Sequence, residues 1–248
     1  MIKVEVCVES PAGIDAALEG GADRIELCAC LALGGLTPSL GLQRRAVASG
    51  LETRVLIRPR AGGFVYDRGE LAVMADDIRA ARGAGAGGVV IGAATADRQL
   101  DREALAVLAE AAGPLGRTLH RVFDLTPGPE ESLELAIGLG FDRILTSGQQ
   151  PTAALGRDLL ARLVAQAAGR VTILAGGGID AGTAGPLLAR TGVTELHASC
   201  RAPEPPASTE ARELAFGFGA APRTTLAARV AALVAVARSC GTSQHRPH

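Results

Sequence analysis

The stretch RIELCACLALGG (24–35) places Glu26, Cys28 and Cys30 where an apolar, strand-like run is ending. Similar groups close other strand-like segments: Cys7 and Glu9 in KVEVCVE, Arg58 and Arg60 in IRPR, and His120, Arg121 and Asp124 in HRVFD. Gly176, Gly177 and Gly178 follow in AGGGI, then His197, Ser199 and Cys200 in ELHASC. These residue types support three chemistries. Thiolates from Cys7, Cys28 and Cys30, with the His197 imidazole nearby, suit a soft ion such as Cu(I), or Zn(II). Their spacing is no recognised zinc motif, and cysteine also buries readily as a small hydrophobe. Arg58 and Arg60, with the bare N–H groups of Gly176, Gly177 and Gly178 ahead of a helix starting near Asp180, suit an anion. The same glycines would also serve a tight turn, and the same arginines would neutralise nearby acids. His120, Asp124, Glu9, Glu26 and His197 are candidates for moving protons. The alternative for the mid-strand glutamates is a structural ion-pair cluster.

These groups meet only if the fold brings strand ends together. Strand-like segments fall at 3–8, 24–28, 53–59, 87–92, 117–123, 142–147, 170–176 and 194–199, separated by Ala- and Leu-rich helical patterns often closed by glycine. Eight strand–helix units predict a closed (β/α)8 TIM barrel. The rival, a doubly wound open sheet, would carry G-x-G-x-x-G after its first strand, where this chain has ESPAG. The domain is expected over 1–239, with a long Pro- and Gly-punctuated loop at 201–224, a last helix at 225–239 and a frayed tail at 240–248.

Alternation along each strand assigns the faces. Val4, Val6 and Val8 share one parity, so Glu5, Cys7 and Glu9 take the other; Ile25 and Leu27 oppose Arg24, Glu26 and Cys28. Val55 and Ile57 oppose Arg54, Leu56 and Arg58, and Leu196 opposes Glu195 and His197. The layer between barrel and helices is dry, so the polar sets point inward. The fifth segment is ambiguous, because Arg121 and His120 have opposite parity and neither suits a dry layer. In this architecture chemistry sits at the carboxyl ends of the strands. Closure makes the eighth strand the neighbour of the first and gathers Cys7, Cys28, Cys30, Cys200 and His197 at one rim. Lys3, the only lysine, lies at the opposite end, which excludes a Schiff-base aldolase.

Composition narrows the function classes. The net charge is −1 with no block of like charge, so nothing asks for nucleic acid or a membrane surface. Aromatic residues are 2% of the chain, so Ala, Val, Leu and Ile must build the core. No apolar run is long enough to span a bilayer, since LAARVAALVAVA is short and broken by Arg229. Five cysteines, an odd number, and no signal peptide ahead of KVEVCV predict a reducing cytoplasm.

The segments EVCV, GGADRIELC, GGLTPS, IRPR, HRVFD, DRILTSG, AGGGI and ELHAS occur in this order, and together they resemble the CutC family over roughly residues 2–200. The resemblance implies a cytoplasmic TIM barrel that forms a homo-oligomer, acts in copper homeostasis and binds Cu(I) through Cys7 and Cys28. Cys30 departs from the family's usual pattern and would add a third thiolate or be incidental. Two functions follow: a Cu(I)-binding protein, or a lyase, isomerase or hydrolase acting on a small anionic or phosphorylated substrate. A third is a scaffold whose charged interior neutralises itself.

Overall fold

The computed structural model describes residues 1–202, 212, 215–216 and 224–243. The long loop expected at 201–224 falls largely outside them, as do residues 244–248 of the expected tail. Among the described residues the order is β1 (Lys3–Val8), α1 (Pro11–Glu19), β2 (Arg24–Leu27), α2 (Leu40–Val47), β3 (Glu52–Leu56), α3 (Arg68–Gly83), β4 (Gly88–Ile91) and α4 (Arg102–Ala112). It continues with β5 (Gly116–Leu119), α5 (Pro129–Gly138), β6 (Arg143–Thr146), α6 (Arg157–Ala167), β7 (Thr172–Gly176), α7 (Ala181–Thr191), β8 (Glu195–Ala198) and α8 (Ala227–Ser243). All neighbouring strands are parallel, and β1 pairs with both β2 and β8, closing a TIM barrel.

The strands are shorter than the alternation suggested, for local reasons. β3 ends before Pro59, which has no N–H to give, and the Arg58 N–H turns to the Thr37 hydroxyl. β5 ends at Leu119 because His120 caps a 3-10 turn, Arg121–Leu125, by accepting the Val122 N–H on its ring. In contrast, α8 runs past the boundary expected at 239. Cys240 still packs against the core and Arg238 donates to the Ile2 carbonyl, so the helix retains tertiary contacts there.

The valine and isoleucine rows meet the helices as expected. Val4, Val6, Val8, Ile25, Leu27, Val55 and Ile57 share one buried cluster with Ile14 of α1, Met74 of α3 and Leu233 of α8. A smaller cluster of Cys28, Leu56 and Val90 sits on the other side of the sheet, inside the barrel. Arg24 of β2 reaches Glu195 of β8 past the intervening β1, which is possible only through the interior. The structure also resolves β5: Leu119 joins the outer cluster, so Thr118 and His120 face in.

Candidate functional site

The barrel interior is layered by charge. At its floor Arg24 donates to Glu5 and to Glu195, each at 2.5 Å, and Glu195 also accepts from Arg143 at 2.8 Å. Arg54 bridges Glu52 and Asp142 nearby. Arg24 and Glu5 are each only 1% exposed, so every charge here must be met by another. The glutamates at this depth thus form the ion-pair cluster named above as an alternative.

One layer higher, toward the carboxyl ends, the groups become reactive. His197 places Nδ1 2.8 Å from Glu5 Oε1 and Nε2 3.6 Å from Glu26 Oε2. The Cys7 sulfur, a Glu26 oxygen and a His197 ring nitrogen lie within 4.8 Å of one another. Register explains the meeting: Cys7 pairs with Glu26 across β1 and β2, and Glu5 with His197 across β1 and β8. Burial pushes the Glu5 carboxyl up, but the Arg24 charge and the His197 hydrogen bond outweigh it and hold it at about 2. Burial raises Glu26 to about 7, with the neighbouring Glu5 charge adding to it. For His197 burial opposes the charged ring, but the Cys7 sulfur and the flanking carboxylates push its pKa well above the ordinary value. Burial, reinforced by Glu26, likewise pushes the Cys28 thiol up.

Above them lies a cavity of about 170 Å³, lined by Cys7, Glu26, Cys28, Leu56, Arg58, Phe64, His120, Arg121 and His197 among others. Arg58 is buried; its Nη atoms donate to the carbonyls of Leu33, Gly35 and Gly62, and its guanidinium lies 5.1 Å from the Phe64 ring centre. Burial, with Arg58 beside it, holds His120 at about 3, so its ring is neutral. Arg121 reaches the rim from the 3-10 turn, held by Asp124 at 2.8 Å and the Ser147 hydroxyl at 2.6 Å.

Of the residues singled out by sequence, Cys7, Cys28, Glu26, His197, His120, Arg121 and Arg58 therefore share one cavity. The others lie elsewhere. Asp124 accepts hydrogen bonds from Arg121, Thr146, Ser147 and Gln149, so its carboxylate organises the loop after β6. Glu9 accepts the Leu31 N–H at 2.7 Å and lies 3.6 Å from Arg201. Arg60 pairs with Glu70 of the α3 capping box and lies over Tyr66, outside the cavity lining. Cys30 is exposed, in a left-handed conformation that turns the chain into a 3-10 turn. Cys200 has the same backbone form and lines a neighbouring cavity of about 470 Å³ with Gly178, Arg201 and Arg229.

The glycine turn is more self-contained than expected. Gly177 accepts the Ala153 N–H on its carbonyl, and the first turn of α7 is capped by the Asp180 carboxylate, which takes the N–H groups of Gly182 and Thr183. A negative charge already sits at that helix end. The Gly177 and Gly178 N–H groups have no partner among the described residues. Lys3 opens β1 and is exposed at the far end of the barrel. Arg121 was expected at this strand end with its direction open, and Phe64 was not legible as a cavity residue. Alternation fails where β5 gives way to the 3-10 turn, and Phe64 comes from the long β3–α3 loop.

Fold and site together define a (β/α)8 barrel whose carboxyl-end cavity is lined by thiols, imidazoles and a buried arginine. The CutC family model matches residues 2–202. The family protein CutC of Sinorhizobium medicae is 49% identical over 233 residues, covering 94% of each chain. That of Caulobacter vibrioides is 48% identical over 217 residues, covering 88% of this chain and 89% of the relative. A crystal structure of CutC from Streptococcus agalactiae, a candidate copper homeostasis protein, superposes with a TM-score of 0.77 at 33% identity, covering 80% of this chain and 99% of that one. Thiamine phosphate pyrophosphorylase from Pyrococcus furiosus shares the fold at a TM-score of 0.59 and 17% identity, over 96% of each chain. The chain belongs to the CutC family.

Proposed function

We propose that the protein binds Cu(I) at the carboxyl end of its barrel, through Cys7 and His197, with Cys28 at the same cavity. The observation that carries this is the approach of the Cys7 sulfur, the His197 ring and Glu26 to within 4.8 Å of one another. Thiolate and imidazole are the donors a soft ion selects, so this pair fits copper. The Glu26 carboxylate is the harder donor and would contribute least. Glu5, holding the remote nitrogen of His197, supplies the outer partner that orients a ligating histidine. The Cys28 thiol, raised by burial, and the His197 ring, raised despite burial by Cys7 and the flanking carboxylates, would each have to lose a proton on joining a metal, which makes binding release protons. Titration of the full chain with Cu(I) against a competing chelator tests the proposal. Cys7→Ser and Cys28→Ser should each lower the affinity about tenfold or more, which is about 1.4 kcal/mol; unchanged affinity in both overturns it.

A reducing cytoplasm is the compartment that suits five free cysteines, and no helix among the described residues is long and apolar enough to cross a membrane. A homo-oligomer is the assembly the family resemblance implies, and sedimentation checks it.

One observation favours a second reading, an enzyme acting on a small anionic substrate in this cavity. Glu26, raised by burial to about 7 and 3.6 Å from His197, can take up or release a proton at neutral pH. An NMR screen for turnover of small acids tests it. Activity absent from Glu26→Gln supports the reading, and equal activity in both proteins removes Glu26 from it.

A further inference from the structure

Arg58 and His120 form part of the upper cavity wall, and each carries a fully buried donor with no protein partner. His120 is 6% exposed, and its Nδ1 accepts the Val122 N–H at 3.1 Å, which places the ring proton on Nε2. That Nε2 is buried and unpartnered. Arg58 is also 6% exposed; backbone carbonyls hold its Nη atoms, and its Nε is buried and unpartnered. Phe64 lies against both, 4.8 Å from the His120 ring and 5.1 Å from the guanidinium. A buried donor left without an acceptor is costly, and a buried charge without a counter-charge more so.

Charge and size narrow what would satisfy them. Arg121 is paired with Asp124, and His197 with Glu5. Arg58 is the cation lining the cavity that has no carboxylate partner among the described residues. One negative charge balances it. A phosphate, with a charge near −2 at neutral pH, would bring a second charge into a small space shared with Glu26. A volume of about 170 Å³ admits a molecule of about six non-hydrogen atoms, taking roughly 30 Å³ per water-sized unit.

We propose that this cavity binds a small monocarboxylate, whose carboxylate accepts from Arg58 Nε–H and His120 Nε2–H while its other end faces Cys7, Glu26 and His197. Sequence alone grouped Arg58 with Arg60 and the glycine turn; the structure sets it in the same cavity wall as His120, both against Phe64. The inference deepens the second reading by naming its ligand class. It is tested by binding alone, so it stands or fails apart from turnover.

The probes are sodium pyruvate and inorganic phosphate, each titrated calorimetrically into the metal-free full chain, so copper binding bears on neither result. Pyruvate should bind saturably, and phosphate about tenfold more weakly or worse. His120→Phe, which keeps the ring contact and removes the donor, should weaken pyruvate about tenfold or more. Arg58→Met should do the same, although it also frees three carbonyls that Arg58 holds. Should either variant fold poorly, the wild-type protein still decides: pyruvate should shift the His120 Nε2–H signal in the proton–nitrogen spectrum of the histidine rings. No saturable pyruvate binding, equal binding in a folded His120→Phe, preference for phosphate, or an unmoved His120 signal would each overturn the proposal.

Discussion

His197 Nδ1 lies 2.8 Å from Glu5 Oε1, and the other oxygen of that carboxylate accepts from Arg24. Burial favours the neutral acid, but the Arg24 charge and the His197 bond hold Glu5 at about 2, so it is ionised at neutral pH. An ionised Glu5 can only accept, so the Nδ1 proton sits between them and Nε2 faces the cavity. A carboxylate on β1 and a guanidinium on β2 thereby fix the orientation of a β8 imidazole whose pKa is itself raised, and leave Nε2 as the nitrogen that can give up its proton to a metal.

Glu5→Gln should therefore act on copper without touching it. A neutral amide holds the Nδ1–H less firmly than a carboxylate does, and loss of an outer-shell partner lowers metal affinity by about 10–100-fold. The chelator titration reads the affinity. The ring nitrogen spectrum followed against pH should show the His197 pKa falling in Glu5→Gln, because the carboxylate that favours the charged ring is gone, a change that a merely structural role for Glu5 would not produce.

Arg24→Met should be among the most destabilising single changes in the chain. It leaves Glu5 and Glu195 buried without their shared cation, although Arg143 still holds Glu195. Breaking one side of a buried pair costs about 3–5 kcal/mol. Urea denaturation measures it, and a loss below about 1 kcal/mol would mean that the floor of the barrel is wetter than its burial indicates.

Glu26 predicts the pH dependence of the metal-free protein. Its pKa in the fold, raised by burial to about 7, exceeds the ordinary 4.5. The protonated form is thus favoured on folding: the contribution is complete below about pH 4.5 and is lost as pH rises through about 7. Wild type should lose about 1–3 kcal/mol between about pH 5 and about pH 8 relative to Glu26→Gln, whose side chain cannot ionise. Denaturation midpoints of both proteins at both pH values check the difference.

Much of this architecture was legible in the sequence because alternation is a strong constraint where one face is dry. The valine and isoleucine rows of β1, β2 and β3 assigned Glu5, Cys7, Arg24, Glu26 and Cys28 to the interior correctly. What alternation cannot see is who partners whom. Arg58 and Arg60 read as equivalent, yet one is buried against carbonyls and the other is held by Glu70. Cys28 and Cys30 share a parity, but a left-handed backbone at Cys30 turns the chain outward after β2. Asp124 looked like an acid or base, and its role in holding the β6 loop depends on donors more than twenty residues away in sequence.

Gly92 tests the seat of His120. A Cβ there would lie 2.4 Å from His120 Cε1 and 2.6 Å from Nδ1. Gly92→Ala should cost about 1–3 kcal/mol by overpacking and displace the ring. Pyruvate affinity should fall with it, while a retained affinity would place the ligand elsewhere. Calorimetry and a melting curve on the same sample separate the two effects.

In the proposed function copper is held by sulfur and imidazole inside the barrel mouth. X-ray absorption spectroscopy of the Cu(I)-loaded full chain tests it most directly. Wild type should show sulfur and imidazole scatterers together, with the imidazole signal lost in His197→Phe and the sulfur signal reduced in Cys7→Ser. A Cu(I) spectrum with no sulfur, or one that is the same in wild type and Cys7→Ser, would contradict it.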